Sequence, residues 1–376
     1  MTSTDRADST KTRPLRVVIA PDSFKGSLDA TSLSAELATG WATVRPRDQL
    51  VLLPQADGGE GTLTAIASCH PEAVWHEIAD VCGPDGRMVP GRWLSLDDGT
   101  AVVELAQMSG LPLMRALDPA HATAAGLGQV INAALDAGAT ALVVGLGGSA
   151  STDGGAGALV SMGARLLDSH GDELGIGGAA LAQLHTVDVT GLRSVPHGGV
   201  ELLTDTTVTL CGREGAAYIY GPQKGADEEM CRLLDDALKR FATNLQAVLP
   251  GQPDEAGAGA AGGTGFGLSA WGGKLVPGAA RIADLTGLTE EFERADVVVT
   301  GEGRFDDSSL TGKLVGSVLQ RCAHVGTRSV VVAGQLAIAP PDCGVSLTEL
   351  AGSPDRAMVE PAYWARRAGS VAARLL

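Results

Sequence analysis

The chain has 376 residues, with 28 Lys plus Arg against 44 Asp plus Glu, for a formal net charge of −16. Apolar residues make up 44% and charged ones 19%, which excludes a disordered chain; the acidity and 3% aromatics argue against a nucleic-acid partner. Glycine stands out at 51 residues, roughly twice ordinary usage, without the three-residue period of collagen.

At about 150 residues per domain the length predicts two domains. Residues 1–14 are polar and read as a flexible tail. The run RVVIA at 16–20 predicts a buried strand, followed by the turn Pro21–Ser27 and a helix over 29–41 with Leu33, Leu37 and Ala38 on one face. A second strand at 49–53 runs into the loop 55–62 and another helix, and two such units in succession predict a parallel sheet. Residues 91–96 and 100–105 flank Asp97-Asp98-Gly99 and read as an antiparallel hairpin. A helix over 122–137, a strand at 141–146, a glycine loop at 147–155, a strand at 201–204 and a helix over 227–248 follow. The composition of 250–265 (PGQPDEAGAGAAGGTG) predicts a linker or a mobile active-site loop. The pattern ends with a strand at 296–300 tipped by Gly301–Arg304, a helix over 313–322 and a strand at 329–333.

The fold expected is α/β with two domains. Residues 15–78 plus 285–376 would form a doubly wound parallel sheet of flavodoxin or Rossmann type. An inserted mixed α/β domain would span 79–284, with the active site in the cleft between the two. The strand at 141–146 fits either sheet. Six cysteines show no C-x-x-C pair and the histidines no zinc spacing, so reduced thiols are expected. No secretory signal and no run of ~18 apolar residues is visible, which makes a cytoplasmic protein without a membrane partner the expectation.

Loops after parallel strands converge on one sheet edge and lead into helix N-termini, where amides suit anions. Asp22, Ser23 and Lys25 lie beyond the first strand, and Asp57, Gly58, Gly59 and Glu60 beyond the second. Gly147, Gly148 and Ser149 form a glycine turn after the strand at 141–146. Asp205, Gln223, Lys224, Glu302 and Arg304 add acids and cations near other strand ends and turns. Only six Lys occur against 22 Arg, and four of them (Lys25, Lys224, Lys274, Lys313) have a glycine neighbour, which suits a compact cation kept for phosphate. Gly145–Ala150 also fits the dinucleotide pattern G-x-G-x-x-A, with Asp168 placed as its acid, so an NAD-dependent oxidoreductase is the competing class. No Walker motif exists, because Gly273-Lys274 and Gly312-Lys313 are each followed by Leu. Acids, lysines and glycine loops without a nucleophile–histidine signature fit phosphoryl transfer, in which the protein supplies positioning and charge neutralisation. Mg²⁺ would need one or two of the carboxylates.

Seven strings carry a resemblance: APDSFKGSL (20–28), QADGGEGT (55–62), VVELAQMSGLP (102–112), VGLGGSASTDGGAG (144–157), YGPQKGA (220–226), GAAGGTGFGL (259–268) and TGEGRFDDSSLTGK (300–313). Together they resemble the bacterial glycerate kinase family, of the type that phosphorylates carbon 2, over about residues 15–355. The 145–151 string alone also resembles the phosphate loop of the sugar- and homoserine-kinase superfamily. The family resemblance implies D-glycerate plus ATP giving 2-phosphoglycerate and ADP with Mg²⁺, in a monomer or homodimer. A kinase for another small hydroxy acid is the nearest variant. Carried over by motif, the matched residues become cleft candidates, and our own expectation for their roles makes Asp205, Asp57 and Lys25 catalytic, with Asp57 or Asp205 as base or Mg²⁺ ligand. Lys25 and Arg304 would lie on anionic oxygens and the 147–149 backbone on phosphate. Asp22, Ser23, Gly58, Gly59, Glu60, Gln223, Lys224 and Glu302 complete the expected binding set. One string departs: where the family usually has DVTNPL or DVTAPL, this chain has Asp205-Thr206-Thr207-Val208-Thr209-Leu210, without the proline's φ constraint. Thr152 in place of a frequent Asn is a milder change.

Overall fold

A computed structural model describes residues 13–310 and 314–376. The expectations for the N-terminal tail before residue 13, and for Lys313 with its glycine neighbour, lie outside the described residues. In chain order the strands are β1 (Arg16–Ile19), β2 (Gln49–Leu52), β3 (Val74–Cys82), β4 (Met88–Ser95), β5 (Thr100–Glu104), β6 (Ala141–Gly145), β7 (Arg165–Leu167), β8 (Thr186–Asp188), β9 (Val200–Leu203), β10 (Lys274–Val276), β11 (Val297–Phe305), β12 (Arg328–Leu336) and β13 (Cys343–Ser346). The fold is α/β in two compact units, one taking the chain up to Pro54 and most of it from Gly287 onward, the other taking Gln55–Thr286.

The first unit holds a five-stranded sheet in the order β13-β12-β11-β1-β2, with every pairing parallel. Val17, Ile19, Val297, Val299, Val330 and Val332 share a core with Leu33, Leu37 and Trp41. Those three lie on helix Ala30–Val44, which Asp29 caps by accepting from the Ser32 N–H at 2.8 Å. The C-terminal helix Pro361–Arg374 crosses this helix so closely that a Cβ on Gly369 would lie 2.1 Å from the Leu37 carbonyl oxygen. β11 continues to Phe305, paired with β12 throughout, so Gly301–Arg304 is strand rather than the expected loop tip.

The second unit holds a six-stranded sheet in the order β10-β9-β6-β5-β4-β3. β10, β9, β6 and β5 run parallel, β4 and β5 form the expected antiparallel hairpin, and β3, which the sequence reading did not anticipate, adds an antiparallel strand to β4. The strand that fitted either sheet, β6, sits in the middle of this one. Helix Thr62–Cys69 also belongs here: Leu63 and Ile66 pack with Leu94, Val102, Val143, Leu203 and Ile282. The division therefore falls after Pro54, where the sequence suggested about residue 78. The opposite face carries the larger core, including Leu127, Ile131, Leu234, Leu238, Phe241 and Phe266.

Residues 250–265 are neither linker nor mobile loop. Ala258, Ala260, Gly262 and Gly263 are buried, and 260–271 form a short 3₁₀ turn followed by helix Thr264–Trp271. The carbonyl of Gly262 (φ +66°) accepts from the Gly154 N–H at 3.0 Å, and a Cβ on Gly262 would lie 2.0 Å from the Ser151 oxygen. The small residues serve close backbone approach. No helix among the described residues is long and apolar enough to cross a membrane.

Candidate active site

Because β5, β6, β9 and β10 are parallel, Glu104, the loop after Gly145, Asp205 and the start of helix Gly278–Leu285 all lie at the carboxyl edge of one sheet. The loop 57–60 lies against that edge. The Gly147 N–H donates to the Gly58 carbonyl at 2.9 Å. A Cβ on Gly145 would meet that carbonyl oxygen at 2.6 Å, and one on Gly147 would lie 2.4 Å from the Gly59 Cα. Gly58 is itself left-handed at φ +90°. Two loops distant in sequence therefore touch backbone to backbone, which only glycines permit here.

Two carboxylates lie at this sheet edge, one of them held by the contact. Asp57 Oδ1 accepts from the Gly59 N–H at 3.0 Å. Asp205 follows β9 and accepts from the Ala279 N–H at 3.4 and 3.1 Å through its two oxygens, at the start of helix Gly278–Leu285. The Cβ position of Gly278 lies 2.5 Å from the Asp57 carbonyl oxygen and 3.5 Å from Asp205 Oδ2. The Asp205 residue is exposed, but its carboxyl group is crowded by protein, and that burial is the largest influence raising its pKa. The Ala279 amide pulls the pKa down, the neighbouring Asp57 charge pushes it up, and the net result lies above the ordinary aspartate value. A carboxylate so tuned is a better proton acceptor.

The glycine turn itself faces inward more than the sequence suggested. The Ser149 hydroxyl is buried, donates toward the Ser151 and Ala261 carbonyls at 3.3 Å, and accepts from the Ser151 N–H at 3.2 Å. The amides expected to greet an anion at the next helix, Ala156–Ser161, are taken by a protein carboxylate. Asp153 is fully buried and accepts from Gly155 at 3.1 Å, from Gly157 at 3.2 Å and from Ala124 at 2.9 Å. Lys224, expected on phosphate, is 2% exposed and donates to the Ser151 carbonyl. Burial draws its pKa down to about 8, against the opposing pull of Asp153. Gln223 and Glu60 are exposed.

In the first unit, Asp22 follows β1, its N–H bonded to the Gly301 carbonyl at 2.8 Å and its Oδ1 to the Ser23 N–H at 2.6 Å. Lys25 is exposed at the tip of a small loop closed by paired Phe24–Leu28 backbone bonds. The Cβ position of Gly303 lies 4.0 Å from the Lys25 backbone nitrogen, so β11 passes beside this tip. Glu302 is half-buried and Arg304 exposed, the latter donating to Gln335 at 2.7 Å and to Asp306 at 3.3 Å. Glu302 and Arg304 on β11 and Asp22, Ser23 and Lys25 in the loop after its neighbour β1 thus belong to adjacent parts of this unit.

Glu104 was not among the expected site residues. It is fully buried at the end of β5 and accepts from the Gly61 and Leu63 N–H groups at 3.2 and 3.0 Å and from Gln107 at 2.6 Å. It therefore fixes the turn that carries Asp57–Glu60 into its helix. Burial raises its pKa, while the Leu63, Gln107 and Gly61 donors oppose the rise. A glutamate closing the apolar run of 100–105 was the available signal. Asp168, the acid of the dinucleotide reading, sits elsewhere. It follows β7, which pairs antiparallel with β8 in a separate two-stranded sheet, and it accepts from the His170 and Asp172 N–H groups at 2.8 and 3.0 Å. A dinucleotide fold needs that acid on a parallel neighbour of the glycine-loop strand, so the oxidoreductase reading loses its geometry.

Among the described residues no group of three or more His, Cys, Asp or Glu side chains forms a metal site. Mg²⁺ needs only one or two carboxylates beside water and phosphate oxygens, and Asp57 and Asp205 are the residues that would hold it.

The model of the glycerate kinase family matches residues 17–376. A glycerate 2-kinase of Escherichia coli K12 is 39% identical over 328 residues, covering 86% of each chain. A glycerate kinase of Bacillus subtilis is 38% identical, over 86% of this chain and 85% of its own. A crystal structure described as glycerate kinase 2 of Salmonella typhimurium LT2 superposes with a TM-score of 0.83 at 34% identity, covering 96% of this chain and 98% of that one. The chain belongs to the glycerate kinase family.

Proposed function

We propose that this glycerate kinase transfers the γ-phosphoryl group of ATP to the 2-hydroxyl of D-glycerate, giving 2-phosphoglycerate and ADP. The observation that carries the reading is the Asp57–Asp205 pair at the carboxyl edge of the six-stranded sheet, with Asp57 held by the glycine-to-glycine contact and the Asp205 pKa raised. The name of the Escherichia coli relative supports the 2-position. Asp205 accepts the proton of the attacking hydroxyl. The hydroxyl oxygen forms its bond to the γ-phosphorus as the bond to the β–γ bridging oxygen breaks, and ADP leaves with that electron pair. Asp57 would hold Mg²⁺, which supplies neutralisation of phosphate charge. Lys25 and Arg304 are assigned to anionic oxygens of the substrates, and the 147–149 backbone to phosphate. This protein acts on small molecules, and no nucleic acid enters the scheme.

Incubation with D-glycerate and Mg-ATP, followed by phosphorus NMR, tests the reaction. The expected product is 2-phosphoglycerate with stoichiometric ADP. Absence of both ADP and any phosphoglycerate would overturn the kinase, and a 3-phosphate would overturn only the regiochemistry. Asp205→Asn should lower kcat by at least ~100-fold, the scale of general-base assistance. A near-normal rate would remove Asp205 from the mechanism.

A further inference from the structure

Lys224 poses a question that phosphate binding does not answer. An ammonium removed from water is costly unless it finds partners inside the protein. Its partners lie on one short stretch: the Ser151 carbonyl, which accepts from Nζ, and the Asp153 carboxylate, whose charge favours the ammonium form. Ser151 in turn donates its N–H to Ser149 Oγ, at the end of the glycine turn that touches Gly58 and Gly59.

Four residues earlier, Tyr220 reaches another loop. Its hydroxyl donates to Thr206 Oγ1 at 2.6 Å. The same Thr206 oxygen accepts from the Val208 N–H at 3.2 Å, while the Thr206 N–H donates to Thr204 Oγ1 at 3.4 Å. Asp205 sits inside this ladder of hydroxyls. The segment between the two side chains is stiff. Helix Ala216–Tyr220 passes into the turn Pro222–Lys224, closed by Gly221 N–H to Ala217 O at 3.0 Å, Lys224 N–H to Gly221 O at 2.9 Å and left-handed Gly225 at φ +95°.

We propose that the Tyr220–Lys224 turn is a positioning element of the active site: Tyr220, through Thr206, sets the Asp205 loop, and Lys224, through Ser151, sets the glycine turn at 147–149. Lys224 is then a positioning residue whose ammonium stays in the interior. The inference rests on the reading of Asp205 as proton acceptor and of 147–149 as a phosphate contact. It divides the two kinetic constants between two side chains of one turn. Loosening Tyr220 misplaces the acceptor in the chemical step and lowers kcat. Loosening Lys224 misplaces the phosphate contact and raises KM for ATP.

Steady-state kinetics with D-glycerate and Mg-ATP, alongside thermal melts, test this. Tyr220→Phe and Thr206→Val should each lower kcat ~10-fold, the scale of one hydrogen bond, with both KM values within about twofold of the parent. The double variant should be no slower than Thr206→Val alone, because that change already removes the Tyr220 bond together with the Val208 one. Thr206→Ser should recover most of the rate. Lys224→Met should raise KM for ATP at least ~10-fold with a smaller effect on kcat. Tyr218→Phe, on the same helix with its ring under the Arg213 guanidinium at 4.7 Å, is the control and should match the parent. If Tyr220→Phe and Thr206→Val leave kcat within about twofold, or if their losses multiply, the inference fails. If Lys224→Met does not fold, the Tyr220 and Thr206 variants decide it alone. A near-normal Asp205→Asn rate identifies failure of the underlying mechanism, whereas a slow Asp205→Asn beside normal Tyr220 and Thr206 variants identifies failure of this inference.

Discussion

Gly147→Ala isolates the contact on which the site is built. Gly147 does not have a left-handed φ, so an alanine there meets no torsional penalty and its whole effect is steric. The added methyl would lie 2.4 Å from the Gly59 Cα and 2.9 Å from the Gly59 nitrogen, both backbone atoms that no rotamer change can move. Carbon atoms rest at about 3.5–4.0 Å, so the loops 57–60 and 147–149 must part by about 1 Å. That separation stretches the 2.9 Å bond from the Gly147 N–H to the Gly58 carbonyl. It also carries away Gly59, whose N–H holds the Asp57 carboxylate at 3.0 Å.

Overpacking of this kind costs about 1–3 kcal/mol of stability, and a misplacement of about 1 Å at a reacting centre costs ~100-fold in rate. Coupled ADP release with D-glycerate and Mg-ATP, together with a thermal melt, should therefore show Gly147→Ala with kcat/KM down ~100-fold and a lowered Tm. Gly175→Ala is the matched control. That position is exposed, has no left-handed φ and has nothing within 4 Å of the new methyl, so both quantities should stay at the parent values. A Gly147→Ala protein with kcat/KM within about threefold of the parent and an unchanged Tm would refute the claim that this backbone contact sets the site.

Two further outcomes concern stability. Asp48 accepts from the Leu15 N–H at 3.0 Å, Trp41 Nε1 at 3.0 Å and Arg45 Nε at 2.6 Å, with its side chain 3% exposed, so Asp48→Ala should cost about 2–4 kcal/mol by urea denaturation. Burial raises the Asp48 pKa, but the Arg45, Leu15 and Trp41 bonds outweigh it, and the folded value lies below the ordinary one. Its contribution is complete above the unfolded pKa near 4 and fades as pH falls through the lower folded value; a parent–variant gap that widens on acidification would contradict this. Ala261 is the one non-glycine residue with positive φ among those described, at +54°, so Ala261→Gly should raise stability by up to about 1 kcal/mol, and a lowered Tm would count against strain there.

Strands built on apolar runs such as RVVIA and ALVVG were legible, with their parallel pairing, because such runs have few other uses, whereas β3, β7, β8, β10 and β13 were not anticipated. The unit boundary was less so. Leu63 and Ile66 would give helix 62–69 an apolar face against either sheet, and only the partners Leu94, Val102 and Leu203 settle which one it covers. The site divided in the same way. Asp57 and Asp205 were visible as acids at strand ends, but their shared electrostatics depends on the Gly278–Ala279 helix start, which no local pattern marks. Lys224 was misread because a glycine-flanked lysine looks alike whether it meets a phosphate or a buried carbonyl.

The glycines explain why composition misled at 250–265. A flexible linker and a tightly crossed backbone use the same letters, since both need residues without a Cβ. At Gly145, Gly147 and Gly262 the space of the missing Cβ is filled by the backbone of another loop. Such contacts leave little freedom for adjustment, because any side chain added there must push a whole loop. Adaptation of the site toward one hydroxy acid or another therefore falls to positions with side chains beside the acids. The stretch Thr206–Thr209 is such a place: it adjoins Asp205, differs from the family's usual string, and hangs on side-chain hydroxyls in place of a proline ring. Hydroxyl bonds can be exchanged one at a time, whereas the φ constraint of a proline is present or absent. A site held in this way can be retuned by single substitutions without moving the glycine contacts that hold Asp57.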